Sequence, residues 1–134
     1  MRSWRAIRQS KTLLALGLVN SLYEAALYVF VFMWTPALES RATGPVGHGL
    51  VFSIFMLSKM AGSQAFQLLA AHLSPPACLQ LVFVGSALAL SVPLLTSSYE
   101  AVLLAFASFE ALLGIYWPAI ALIRASALDR APRG

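Results

Sequence analysis

Three ionisable side chains, Glu24, Lys59 and Glu110, stand inside long apolar runs where charge is costly. Insertion scales place a central charge at roughly +2.5 to +3.5 kcal/mol, against roughly −0.3 to −0.6 kcal/mol gained by each Leu, Ile, Phe or Val. Asn20 and Glu24 are separated by one helical turn, as are Lys59, Ser63 and then Gln67, so each series projects from one helix face. Two chemistries suit such groups. Lys59 could pair with one glutamate as structural glue between helices, or the set could form a polar pathway for substrate or protons, the usual role of ionisable groups at this depth. The count is odd, so neutralising one glutamate with Lys59 leaves the other to be protonated, hydrated or matched from outside the chain.

The elements that would position these groups follow from composition. Of 134 residues, 60% are hydrophobic and only 10% are charged, with mean hydropathy +0.80. An ordinary soluble domain carries about 25% charged residues. The chain is therefore expected to be an all-α membrane protein. Four runs are long enough to cross a bilayer, at about 20 helical residues each: Thr12 to Leu38, Gly49 to Ala71, Ala77 to Leu95 and Ala101 to Ile123. They are expected to form one transmembrane unit over residues 1–134, and nothing in them suggests a soluble domain on either side. The breaks are "ESRATGPVGH", "HLSPP", whose prolines are expected to stop a helix, and the polar turn "TSSYE". Such short connections predict antiparallel packing of consecutive helices. Each of the three ionisable residues falls within about two residues of its span's middle, hence within a few ångströms of the midplane at about 1.5 Å per residue. The second span is the weakest, because Ser53, Ser58, Lys59, Ser63, Gln64 and Gln67 dilute it, and it is expected to face the protein interior.

Orientation follows from Lys and Arg, which favour the cytoplasmic side. Arg2, Arg5, Arg8 and Lys11 precede the first span, and Arg124, Arg130 and Arg133 follow the last, so both termini are expected in the cytoplasm. The net charge of +4 is thus topological, and nucleic acid is not an expected partner. Trp34 and Tyr99 fall near the outer interface. The basic start, "TLLALGLV" and the pair Ala25 and Ala26 resemble a signal peptide, but the apolar run continues to Leu38, too long for a signal core.

Gly114 and Pro118 add a helix-bending signal to the fourth span, since proline removes a backbone donor and broken helices line many transporter sites. Pro36 and Pro93 lie near span ends, and "KMAGS" offers a small-residue contact surface. The single cysteine, Cys78, excludes an internal disulfide and reads as apolar filler. His48 and His72 fall on opposite sides of the membrane, so no metal site, haem or other cofactor is expected. Without a phosphate loop or a serine–histidine pairing at one depth, enzyme chemistry is not expected either.

The segments "SLYEAALYVFVFMWTPAL", "HGLVFSIFMLSKMAGS" and "FEALLGIYWPAIALIRA" together resemble the molybdate-anion transporter family of the major facilitator superfamily, from about Lys11 to about Arg130. The resemblance implies a twelve-helix protein of two six-helix halves, of which this chain resembles helices seven to ten, the opening four of the second half. The Asp-Arg loop usual in the superfamily has no counterpart in "LLAAHLSPP". The implied function is secondary-active transport of molybdate or a similar oxyanion, in the plasma membrane. An anion needs donors and positive charge, which Asn20, Tyr23, Lys59 and Tyr116 could supply. Glu24 or Glu110 could couple protons to it, because protonation removes carboxylate repulsion. A central cavity would need the missing helices or another copy. Two other readings stay open: a small proton-coupled four-helix exporter, and a non-transporting membrane interaction subunit.

Overall fold

A computed structural model describes residues 2–130, with side chains placed for Lys11 and residues 14–126. The side chains of Arg2, Arg5, Arg8 and Arg130, and all of Arg133, lie outside the described residues. Four helices make up the fold: α1 (Arg2–Glu39), α2 (His48–Ala70), α3 (Pro75–Leu95) and α4 (Tyr99–Arg130). Length and composition fit three segments to cross a membrane: Leu14–Glu39, Pro75–Leu95 and Tyr99–Ser126. The chain is an integral membrane protein on that basis. α2 is long enough, but its serines, glutamines and Lys59 keep it below the apolar level of the other three.

Helix ends follow local chemistry. α1 begins well before the apolar run, because "RSWRAIRQSK" contains neither glycine nor proline to stop it. The prolines of "HLSPP" do not end a helix but begin one, and α3 starts at Pro75 rather than Ala77. At the first positions of a helix the missing N–H has no intrahelical partner to lose. Ser74 caps that end, its hydroxyl accepting from the Ala77 amide at 3.4 Å. At the start of α4, Ser98 Oγ likewise accepts from the Ala101 amide, and Glu100 adds an acidic group in the first turn.

Of the consecutive pairs expected to pack through short connections, only α3 and α4 meet extensively. α4 is central and packs against α1, α2 and α3, whereas α2 and α3 barely meet. Glycine explains the choice of partner. A Cβ on Gly62 of α2 would overlap the Ala111 carbonyl of α4, and one on Gly114 would overlap the Lys59 carbonyl, so the two backbones touch at two points, each with a glycine on one side. The "KMAGS" surface is used in this way. Half of α4's span is buried, against about a tenth of α1's.

Aromatic side chains attach α1. Phe30 stands 4.8 Å from Phe109 and 5.1 Å from Phe106 of α4, ring centre to ring centre, and 5.8 Å from Phe55 of α2. Trp34, one turn further on, meets Phe55 edge-on at 5.2 Å. The run "YVFVFMW" therefore bridges a gap that the backbones do not close. At one end of the bundle, Arg41 donates to the carbonyls of Ala37 at 2.8 Å and Pro93 at 2.7 Å, capping the C-terminal ends of α1 and α3 together. Glu39 pairs with His48 across the same connection at 2.8 Å, with both side chains about half exposed.

Candidate functional site

Three of the expected site residues, Asn20, Tyr23 and Tyr116, meet at one place. Tyr23 of α1 and Tyr116 of α4 stack with ring centres 4.2 Å apart. The Tyr116 hydroxyl donates to Oδ1 of Asn20, one turn before Glu24 on α1. That bond occupies the Asn20 carbonyl oxygen and leaves its amide N–H groups available to another acceptor. Tyr116 is fully buried and Tyr23 nearly so, while Asn20, Glu24 and Lys59 are only half-buried. The site thus has a packed aromatic floor and a polar rim.

The Tyr23 hydroxyl shares a hydrogen bond with Ser86 of α3 at 2.9 Å. Ser86 was not legible as a site residue, because a single serine in an apolar helix usually bonds its own backbone. Burial alone distinguishes it from Ser91, and burial is a property of the packing: Ser86 is the buried polar residue of α3. Through this contact and the Asn20 bond, α1, α3 and α4 all contribute to one polar layer.

Glu110 is 5% exposed, and its Oε2 has no hydrogen-bond partner. A buried carboxyl oxygen left in this state is expensive, so it marks either a functional group or a place for water or an ion. Lys59 lies close enough to act on Glu110 electrostatically, and Glu110 in turn acts on Tyr23. Yet among the described residues Lys59 forms no salt bridge with either glutamate, since no nitrogen to oxygen approach falls within 4.0 Å. Lys59's backbone carbonyl is pressed against Gly114, and this seat fixes its helix without an ion pair.

Gly114 and Pro118 occupy an unbroken helix, α4. Their relationship is chemical: Pro118 has no N–H to offer the carbonyl four residues earlier, which is that of Gly114. Ser63 of α2 supplies a donor instead, its hydroxyl reaching the Gly114 carbonyl at 3.3 Å. Tyr116 lies midway between these two residues.

A family model described as sugar transporters with 12 transmembrane segments matches residues 1–115. The chain is 33% identical over 129 residues to a molybdate-anion transporter of Xenopus tropicalis, covering 90% of this chain and 28% of that protein. It is 36% identical over 125 residues to that of Takifugu rubripes, covering 87% and 25%, and 36% identical over 129 residues to that of Danio rerio, covering 90% and 26%. The chain thus spans about a quarter of the length of the curated relatives it matches. No solved structure gives a significant match.

Proposed function

We propose, on the premise that this chain belongs to the twelve-span transporter family whose model it matches and within it to the molybdate-anion transporters, that its helices form part of the wall of an oxyanion pathway. The observation that carries this reading is the polar layer in which Asn20, Tyr23 and Tyr116 converge, with Lys59 on α2 seated against the same turn of α4 and bridged by no carboxylate among the described residues. A tetrahedral oxyanion is held by directed donors and by a cation not already neutralised. The Asn20 amide and the Lys59 ammonium are such groups at the half-buried rim, and the tyrosine hydroxyls stand behind them. Transport is secondary, and the protein performs no covalent chemistry on its substrate.

In this reading all four helices span the membrane and correspond to helices seven to ten of the relatives. α2 is held in the bilayer by its backbone seat on α4 rather than by its own apolarity. Both termini lie in the cytoplasm of a cell whose plasma membrane holds the protein. The exposed apolar face of α1, with Leu14, Leu18, Leu22, Val29 and Phe32, faces lipid or the remaining helices. A second half, from further chain or another copy, closes the cavity over the rim. Glu24 and Glu110 carry exchangeable protons, because a carboxylate beside an anion path repels the substrate until it is neutralised.

The test is uptake of radiolabelled molybdate by a transporter that contains these helices, normalised to folded protein in the membrane. Asn20→Ala and Tyr116→Phe should each raise KM several-fold with little change in protein amount. Unchanged kinetics in both would remove this layer from the anion path.

A further inference from the structure

Ser63 is exposed on α2, yet its hydroxyl is spent on a backbone carbonyl of another helix. The acceptor is Gly114, the single carbonyl of α4 that loses its helical donor to Pro118. An orphaned carbonyl in a membrane helix is restored by a neighbouring hydroxyl, by water or by local distortion. Here the neighbour is pre-seated. Gly114 has no side chain, and the α2 backbone from Lys59 to Ser63 lies directly against it, so the serine needs no reach.

The residue at the centre of this turn is Tyr116. Its hydroxyl holds Asn20 and its ring stacks on Tyr23, both on α1. A change in the helical turn between Gly114 and Pro118 rotates or shifts Tyr116, and with it the only polar bond joining α1 to α4 among the described residues. We propose that Ser63 is a positioning residue: by occupying the Gly114 carbonyl that Pro118 orphans, it sets the turn that keeps Tyr116 on Asn20. At 3.3 Å the bond is long for a hydroxyl donor, so it holds the turn weakly. Releasing it frees the carbonyl and slackens the Tyr116 contact, which couples the α2–α4 seam to the α1 rim.

This deepens the proposed function, because it rests on Tyr116 and Asn20 as anion-path residues for its effect on uptake. The experiment needs no transport, so its failure is separable from failure of that reading. The full chain is placed in lipid nanodiscs with meta-fluorotyrosine replacing Tyr116, and the fluorine resonance is recorded. Ser63→Ala should move the resonance in the same direction as Asn20→Ala, and Ser63→Thr, which keeps a hydroxyl, should leave it near the unmodified position. A resonance that Ser63→Ala leaves in place overturns the proposal.

A double-mutant cycle tests the same link through stability. Pro118→Ala returns an N–H to Gly114, so Ser63→Ala should lower the apparent Tm far less in that background than alone. Equal shifts in both backgrounds overturn the proposal. If Ser63→Ala alone does not fold, recovery of folding by Pro118→Ala supports the link and continued failure overturns it.

Discussion

The hydroxyls of Tyr23 and Ser86 lie 2.9 Å apart and join α1 to α3, two helices that otherwise meet mainly through α4. Both residues are buried, so each is the other's replacement for water. Tyr23→Phe and Ser86→Ala should each cost roughly 0.5–2 kcal/mol, in the range of hydrogen bonds measured between membrane helices. The double substitution should cost less than the sum. Additive losses in an unfolding assay with denaturing detergent would mean that the two hydroxyls do not depend on each other.

Arg41 ties two helix ends through its forked guanidinium, one arm on Ala37 and the other on Pro93. Hydrogen bonds involving a charged group contribute about 1.5–3 kcal/mol, so Arg41→Ala should destabilise by an amount in that range. Lysine keeps the charge but cannot span both carbonyls in one plane. Arg41→Lys should therefore recover only part of the loss. A lysine variant as stable as the parent would show that charge alone suffices at this helix junction.

Gly62 and Gly17 are both helical glycines, yet they predict opposite effects. A Cβ at Gly62 collides with the Ala111 backbone, whereas one at Gly17 meets nothing within 4 Å. Gly62→Ala should lose at least about 2 kcal/mol by forcing α2 from α4. Gly17→Ala should be neutral or stabilising by up to about 1 kcal/mol, since alanine restricts the unfolded chain more than glycine does. Thermal unfolding of the two variants gives the comparison, and equal stability would contradict the close seat.

These contacts show where sequence reasoning reaches and where it stops. The helices were legible because their apolar runs are long and their breaks contain Gly, Pro and Ser. The meeting of Asn20, Tyr23 and Tyr116 was only suggested, by shared depth and spacing. Which helix is central is not legible, because Gly62 and Gly114 are isolated in sequence and matter only once they face the Ala111 and Lys59 backbones of the opposite helix. The role of "SPP" differs from the sequence expectation for another reason. Proline blocks a helix interior and suits a helix start, and the residues around it must decide between the two. Here Ser74 decides by supplying the cap. Lys59 invited pairing with a glutamate because charge balance suggests it, but the rotamers and helix phases that separate them are properties of packing.

Orientation gives a further expected outcome. Ala42 sits in the connection after α1, beside an open pocket of about 510 Å³ that also includes Thr43, Ser98 and Glu100. A cysteine placed there should react with a membrane-impermeant maleimide added outside intact cells. Native Cys78 is fully buried and should stay silent, so it need not be removed. Labelling of Ala42→Cys only after the cytoplasmic face is opened would reverse the proposed orientation.

The two glutamates should separate by function. Glu24 is half-buried one turn from Asn20 on α1, whereas Glu110 is buried with one oxygen unpartnered. Glu24→Gln keeps size and most hydrogen bonding but fixes the neutral form. In a transporter containing these helices it should leave insertion and thermal stability nearly unchanged and alter the pH dependence of molybdate uptake. Glu110→Gln should change stability as well, because a buried amide must find donors and acceptors where one carboxyl oxygen had none. If Glu24 served packing alone, its variant would instead change yield while uptake per folded molecule kept its pH profile. Uptake measured at several pH values and normalised to membrane protein decides between them: an unchanged profile removes Glu24 from proton coupling. The same assay on the 134-residue chain by itself in liposomes should give no uptake. The polar rim of Asn20, Glu24 and Lys59 is one wall, and robust uptake by that wall alone would show that the cavity forms without the remaining helices of the family.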